Sequence, residues 1–580
     1  MRTQHQPKLR RAAMASAFSA ALVAACGGSS SSSGPIEIPL PQLSAAQAAT
    51  FAGDCTDLTA KISSLPNTSV TAVNKIAAGT VKVAGQDVPE HCQVTGKMFQ
   101  RTGIDGNPYA ISFEIRLPKN WNGRFYHQGN GGTDGSVVTA LGGLGGGPLT
   151  GALFQGFAVL SSDAGHSGSA PDFGIDPQAR LDYGYQAVGK LTPMAKSVIQ
   201  SAYGKAPDRS YFGGCSNGGR HAMVTATRYP NDYDGILVGA PGYNLPKAAI
   251  ANLAGARLYA SVATSATVTS AADLATGFTD TERKLLASKV VEKCDALDGS
   301  ADGMVQDVAA CQTTFNIATD VATCTGARDG TCLSSAQKTV IGKIFSGTTT
   351  STGTLIYSSF PWDGGFGAGA SATNSGVPFW EFFAALNLDA GATGIIFKVT
   401  PESPVGFNGP NFALTTSIDA LVTGINATNS TYTESAMTFM TPPNPTNMSA
   451  LRNRGGKVLA YHGVSDPIFS VSDTEAWFKN LQNASSMARF YRVPGMGHCS
   501  GGPAADQFDM LTPLVSWVEK GTAPEQVVAS VRGAGNAGGV NADVPATWAA
   551  NRTRPLCPYP KVAKYNGSGS IELAASFTCQ

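Results

Sequence analysis

Three short segments carry residue types that could act together on an acyl group. Gly214-Cys215-Ser216-Asn217-Gly218 reads G-x-S-x-G, the sharp turn in which flanking glycines relieve crowding and a serine Oγ projects above a sheet's carboxyl edge. Such a serine needs a base and a residue to orient that base, downstream in the order Ser…Asp…His. His498, in Pro494-Gly495-Met496-Gly497-His498-Cys499, and Asp466, in His462-Gly463-Val464-Ser465-Asp466, meet that order. Each follows a predicted strand, in loops where the ligands and catalytic groups of α/β sheets gather. His462 is the rival base but adjoins a strand end, and Asp473 is the fallback acid but falls inside the next predicted helix. The chemistry is attack by Ser216 on a carbonyl carbon, with His498 moving the proton and Asp466 holding the imidazole tautomer. The oxyanion so formed needs two backbone N–H groups. Asn217 supplies one, and the loop Gly129 to Gly135 supplies the other through Gly132. That loop departs from G-x-G-x-x-G because Asp134 stands in the third glycine's place, which argues against nucleotide binding.

The cysteines constrain the same residues. Cys215 precedes Ser216 and Cys499 follows His498, so a bridge between them would hold nucleophile and base side by side. Of the 11 cysteines, Cys26 lies in the N-terminal segment and the other ten suit five disulfides in an oxidising compartment. No CxxC pair occurs, which argues against zinc ribbons and iron–sulfur clusters. Sequence alone does not fix the pairing. Local spacing suits Cys55–Cys92, Cys294–Cys311, Cys324–Cys332 and Cys557–Cys579, leaving Cys215 with Cys499.

A second cluster lies between Cys294 and Cys311, where Asp295, Asp298, Asp302 and Asp307 alternate with Gly299 and Gly303. Carboxylates of this kind, completed by the backbone carbonyls of Ser300 and Met304, suit Ca²⁺, although the spacing is not that of an EF-hand. A solvated acidic loop stapled by its cysteines is the alternative.

These sites need a scaffold, and strands and helices alternate at both ends of the chain. Predicted strands are 110–117, 157–160, 210–212, 236–238, 457–461 and 490–493; predicted helices are 183–203, 218–229, 472–481 and 504–520. That alternation implies a mostly parallel sheet with helices on both faces. Residues 245–450, rich in Thr, Ser, Asn, Gly and Ala, break the pattern and read as a lid inserted between core segments 51–244 and 451–580. With 580 residues, 42 % hydrophobic, 14 % charged and a net charge of +1, the chain is neither disordered nor a polybasic nucleic-acid binder.

The N-terminus reads as an address. Arg2, Lys8, Arg10 and Arg11 precede an apolar run, Ala12 to Ala25, too short for the roughly 20 residues that span a bilayer, so 1–25 is a signal peptide. Val23-Ala24-Ala25-Cys26 resembles a lipobox, with Cys26 lipidated and 26–50 a Ser- and Pro-rich tether. An ordinary signal cut near Ala25 is the alternative. The expected product is an exported monomer, an outer-membrane lipoprotein, periplasmic or extracellular, touching membrane only through that anchor.

The GCSNGG turn with a cysteine beside both serine and histidine resembles the tannase and feruloyl esterase family of serine hydrolases. The likeness runs through RTGIDGNPY (101–109), NWNGRFY (120–126), DPQARLDYGY (176–185), YDGILVGAPGY (233–243), CDALDGSADG (294–303), RGGKVLAYHGVSD (454–466), VPGMGHCSGGPAADQFDMLTPLVSWVEKG (493–521) and RTRPLCPYP (552–560). The resemblance implies an α/β-hydrolase fold with a lid and the triad Ser216, Asp466 and His498. It further implies the oxyanion donors Gly132 and Asn217, the five disulfides above, and a lid calcium site at Asp295, Asp298, Ser300, Asp302 and Met304. It matches Phe469 to an aromatic that closes over a substrate ring. Family members that cleave terephthalate monoesters grip the free carboxylate with a lid arginine. Here no arginine lies between Arg328 and Arg452, and Lys398 is the only cation from 345 to 445. Phe379, Trp380, Phe382 and Phe383 could line an acyl pocket, though ordinary lid core is the plainer reading. The expected activity is hydrolysis of small aromatic-acid esters (feruloyl or galloyl type), with terephthalate monoesters as the alternative substrate. A non-catalytic surface binding lipoprotein, or a peptidase of this fold, are weaker readings.

Overall fold

The strands that build the core are short apolar runs. In the computed structural model, which describes residues 40–580 except 144, 148, 150 and 370–375, nine of them form one sheet. Three are β1 (Thr68–Ile76), β2 (His91–Thr102) and β3 (Pro108–Pro118). Then come β4 (Arg124–Gly129), β5 (Ala158–Ser162) and β6 (Arg209–Cys215). The last are β7 (Gly235–Gly239), β8 (Lys457–Gly463) and β9 (Ala488–Val493). Their spatial order is β9-β8-β7-β6-β4-β5-β3-β2-β1. From β9 to β5 all neighbours are parallel, and every residue of β7 and β8 is buried, as strands covered on both faces must be. From β5 outward the pairing turns antiparallel, and β1 alternates half-buried with exposed residues. This antiparallel flank lengthens the sheet beyond the strands predicted from the sequence.

Register decides where the loops emerge. Gly214 lies beside Gly129 and Val238, and Gly239 beside Tyr461. His462 lies beside Arg492. The carboxyl ends of β4, β6, β7, β8 and β9 therefore form one rim, and the loop from each begins there. Helix α1 (Ala187–Tyr203) and helix α2 (Asn217–Arg228) pack on this sheet, and the first ten residues of α2 are all buried.

Between β7 and β8 the chain leaves the sheet for more than two hundred residues. Helices α3 (Leu245–Ala260), α4 (Asp280–Cys294) and α5 (Ser335–Phe345) and the π-helical stretches Phe379–Asp389 and Ala392–Phe397 lie here. They close around an apolar core that includes Leu253, Tyr259, Leu286, Ile341, Phe382 and Phe439. Ile468 and Phe469, from the loop after β8, belong to that same cluster, so the insertion is packed onto the rim.

Two expectations need correction. Residues 504–510 are not helical: the final helix α7 (Leu511–Lys520) begins where Asp509 Oδ1 accepts the N–H groups of Leu511 and Thr512, with Pro513 in the first turn. The tether also ends earlier than residue 50. Gln42 Nε2 donates to Val518 O at 2.8 Å, Ala46 N donates to Glu519 at 2.9 Å, and Ala49–Thr50 pairs with Asn120–Trp121. The helix predicted over 472–481 is α6 (Val471–Asn480). The signal peptide, Cys26 and the tether to residue 39 lie outside the described residues.

Candidate active site

The elbow after β6 is built by close backbone approach. A Cβ on Gly214 or on Gly218 would sit 2.3 Å from Gly129 O, at the end of the neighbouring strand, so only glycine fits on either side of the serine. Ser216 itself has φ 66° and ψ −126°, a backbone conformation that costs about 1–3 kcal/mol and persists only when its surroundings enforce it. Its N–H donates to Gly239 O and its carbonyl accepts from Arg220 N, both at 3.0 Å.

Asp466 and His498 come from the loops after β8 and β9. His498 Nδ1 is 2.7 Å from Asp466 Oδ2, and Oδ1 accepts the N–H groups of Ile468 and Phe469 at 3.0 Å each. Burial alone would push this carboxyl up; the attraction of His498 and the bonds from His462 and His498 instead hold it well below the usual carboxylate range. His498 Nε2 is buried and has no hydrogen-bond partner among the described residues, so it is open to a proton from a nucleophile or leaving group. Phe469 and Trp380 each present a ring edge-to-face with the imidazole, at 5.4 and 4.9 Å.

The disulfides form as five pairs: Cys55–Cys92, Cys215–Cys499, Cys294–Cys311, Cys324–Cys332 and Cys557–Cys579. Cys215–Cys499 joins the nucleophile turn to the base loop with Cα atoms 6.0 Å apart, across 284 residues of sequence. Five bridges are what an exported chain in an oxidising compartment carries.

A sequence model of the family described as "Tannase and feruloyl esterase" matches residues 92–580. The chain belongs to this family. It is 40 % identical over 525 residues to mono(2-hydroxyethyl) terephthalate hydrolase of Piscinibacter sakaiensis, covering 85 % of each chain. It is 27 % identical to feruloyl esterase B of Aspergillus niger, covering 94 % of this chain and 99 % of that one. The crystal structure of feruloyl esterase B from Aspergillus oryzae superposes with a TM-score of 0.69 at 24 % identity, over 91 % of this chain and 99 % of that one, which shows the shared fold. The protein is thus a serine carboxylic ester hydrolase of α/β-hydrolase fold.

Other residues singled out in the sequence fall as follows. Gly132, at φ +62°, lies in the loop after β4; a Cβ on its neighbour Gly131 would come within 3.9 Å of Ser216 Cβ. Asn217 opens α2, so its N–H has no acceptor within the helix and points out at the positive end of the helix dipole. His462 has both ring nitrogens engaged. Its Nε2 donates to Phe469 O at 2.9 Å and lies 3.2 Å from Asp466 Oδ2, and its Nδ1 faces Thr474 Oγ1 at 2.8 Å. It is a second partner of Asp466, a contact that spacing along the chain does not reveal. Asp473 is held by Asn244, its two oxygens each 3.1 Å from Nδ2, and makes no hydrogen bond to a histidine among the described residues. Lys398 is paired with Glu402, so the one cation of that lid stretch is already neutralised.

The acidic loop is only partly converged. Asp295 Oδ1 accepts three backbone N–H groups, from Asp302, Gly303 and Met304, at 3.0–3.1 Å. Asp302 accepts from Met304 N at 3.2 Å and pairs with Arg554. Asp298 Oδ1 accepts from Ser300 N at 2.9 Å, whereas its Oδ2 is buried without a partner. Burial, with the like charges of Asp302 and Asp295, pushes Asp298 up to about 7. Asp307 stands apart, capping the next helix through Ala310 N and pairing with Lys564 at 2.7 Å. Among the described residues no three His, Cys, Asp or Glu side chains are grouped as a metal centre. The all-oxygen donors and the orphaned Asp298 Oδ2 nevertheless suit a hard cation.

Proposed function

We propose that the protein hydrolyses small aromatic-acid esters of the feruloyl or galloyl type through an acyl-enzyme on Ser216. The observation that carries this reading is the pair of rings, Phe469 and Trp380, set edge-on to His498, which give the base aromatic walls on the rim and lid sides. Ser216 Oγ attacks the ester carbonyl while its proton passes to His498 Nε2, and Asp466 stabilises the imidazolium. The oxyanion is held by the N–H groups of Gly132 and Asn217. Collapse expels the alcohol, which takes the proton from His498. Water then attacks the acyl-enzyme with His498 as base, releasing the acid and restoring Ser216.

Terephthalate monoesters are the second reading, favoured by the 40 % identity to the Piscinibacter enzyme. Against it stands the lack of any arginine between Arg328 and Arg452, and the one cation from 345 to 445, Lys398, is paired with Glu402. Acid release from methyl ferulate, methyl gallate and mono(2-hydroxyethyl) terephthalate separates the two, with Ser216→Ala as control. Turnover should fall by roughly four to six orders of magnitude in that variant. Activity that survives Ser216→Ala, or wild-type inertness toward all three esters, would refute the proposal.

Asp298 and Asp302, with Asp295 and the carbonyls of Ser300 and Met304, are also read as a structural calcium site. The bound ion would neutralise the buried carboxylates and fix the loop against Arg554. Chelation should then lower the melting temperature by several degrees, with Ca²⁺ but not Mg²⁺ restoring it; an equal response to both ions counts against the site. Lipid attachment at Cys26 belongs to the same reading of an exported enzyme, and the mass of its N-terminal peptide tests it.

A further inference from the structure

Directly behind the two oxyanion donors lies a buried polar cluster that the hydrolytic cycle leaves without a task. Asn217, the residue after the nucleophile, is fully enclosed, and its side-chain amide is held at both ends. Its Nδ2 donates to Asp134 Oδ2 at 2.8 Å, and its Oδ1 accepts from Arg220 Nε at 2.6 Å. Asp134 stands two residues after Gly132, at φ +57°, and its N–H closes the tight turn by donating to Gly131 O at 3.2 Å. Arg220, with no solvent exposure, directs its remaining N–H groups at the carbonyls of Tyr183, Gly184 and Met440, at 2.8–3.2 Å. His221 Nε2 sits 2.9 Å from the same Asp134 oxygen. A carboxyl group and a guanidinium thus flank one neutral amide, the side chain that follows Ser216.

Neither charge would be stable here alone, because an unpaired buried ion costs several kcal/mol. Joined through the amide they offset part of that cost, although burial still pushes the Asp134 carboxyl up to about 7. The geometric consequence matters more. Gly132 and Asn217 lie on segments distant in sequence, and Asp134 ties the turn that carries one donor to the helix that presents the other through two bonds, from Asn217 Nδ2 and His221 Nε2, the first reaching the donor residue itself. Oxyanion donors act only when both lie about 2.7–3.1 Å from the developing charge, and displacement by an ångström forfeits most of the effect.

We propose that Asp134 and Arg220, acting through the side-chain amide of Asn217, are positioning residues that set the spacing and aim of the two oxyanion N–H groups. This rests on the oxyanion role given above to Gly132 and Asn217. It differs from an electrostatic role in a testable way. A bare carboxylate near a developing oxyanion disfavours it, so if charge were what mattered, neutralising Asp134 would raise the rate. If position matters, the neutral isostere should be tolerated and truncation should not.

The experiment compares wild type, Asp134→Asn, Asp134→Ala, Asn217→Ala and the Asp134→Ala/Asn217→Ala double variant on whichever ester the wild type turns over. Ser216→Ala runs alongside, and competent sites are counted by phosphonate labelling so that misfolded protein does not enter kcat. Asp134→Ala and Asn217→Ala each keep both backbone donors, yet each should lower kcat about 10- to 100-fold with KM within about twofold, since the donors act on the transition state. The double variant should be no slower than the slower single one, because both changes break the same bond. Asp134→Asn should stay within about threefold of wild type, its amide oxygen accepting from Asn217. Full kcat in Asp134→Ala, additive losses in the double variant, a defect confined to KM, or a faster Asp134→Asn would each overturn the proposal. An inert wild type, or an active Ser216→Ala, would instead mark failure of the ester reading itself.

Discussion

At the rim of the sheet Asp466 is saturated: two backbone N–H groups hold one oxygen and two histidines face the other. Asp363, which the insertion lays against the rim loops, is equally enclosed and accepts from Gly365 N, Ser465 Oγ and Gly495 N. In the insertion Asp389 is as deeply buried, yet among the described residues Asn252 Nδ2, at 3.0 Å, is its one hydrogen-bond donor. Trp380 Nε1 and Thr393 Oγ1, in the same π-helical region, are buried without partners among the described residues. The triad acid's place on the rim is over-determined and the π-helical part of the lid under-determined. Preorganised chemistry requires the first, because a triad displaced by an ångström is no triad. A wall that selects among acyl groups tolerates the second, since unsatisfied groups and π-helical turns are where a packed region can change partners.

The largest effect should come from cutting the tie that makes the rim rigid. Replacing both Cys215 and Cys499 with serine opens a loop of 284 residues and frees the base loop from the nucleophile turn. Such a bridge contributes about 2–5 kcal/mol, and misplacing the base costs about 100-fold in kcat. The same exchange at Cys324 and Cys332, eight residues apart in the insertion, should leave kcat within about twofold. Equal losses from the two pairs would erase the contrast between rim and lid.

The sequence exposes these two regions unequally for a physical reason. Gly214, Gly218 and Ser216 are legible because a Cβ at either glycine would strike Gly129 O and because the serine's φ is positive; few other residue types satisfy that backbone. Asp466 and His498 are legible because strand ends and chain order narrow the candidates to a handful. The roles of His462 and Asp134 stay hidden. A histidine inside a strand and an aspartate in a glycine loop look ordinary until β-register and the packing of α2 bring them against Asp466 and Asn217. The antiparallel flank β1–β3 was only partly visible, because half-buried strands at the edge mix polar and apolar residues without a clean period. In the lid, Trp380 reads equally well as core or as pocket wall, and only its 4.9 Å approach to His498 favours the second.

That approach gives the intermediate effect. Trp380→Ala should leave phosphonate labelling of Ser216 intact and lower kcat/KM for methyl ferulate about tenfold, the equivalent of one aromatic contact. For methyl butyrate, which has no ring to lose, the change should stay within about twofold. A uniform loss across both esters would make Trp380 a support of the base and move it from the lid's account to the rim's.

The smallest effect separates the regions by the sign of their response to pH. Burial pushes Asp389 up to about 7, whereas the same side chain in the unfolded chain titrates near about 3.9. Between those values the folded state binds the extra proton, so this group's contribution is complete below about pH 4 and is lost as pH rises through 7. Asp466 runs the other way: its folded carboxyl is depressed, so its contribution is present above the unfolded value and is lost only as acid is added. Asp389→Asn preserves size and can still bond Asn252, but it has no proton to lose. The variant should therefore melt roughly 3 °C above wild type at pH 8 and together with it at pH 4.5. Because Asp134 and Asp298 also sit near 7, the difference between variant and wild type at each pH is the quantity to measure, not the slope of either curve alone. A gap of the same size at both pH values would mean that Asp389 is stabilised by more than its single amide, and that the lid is held as firmly as the rim.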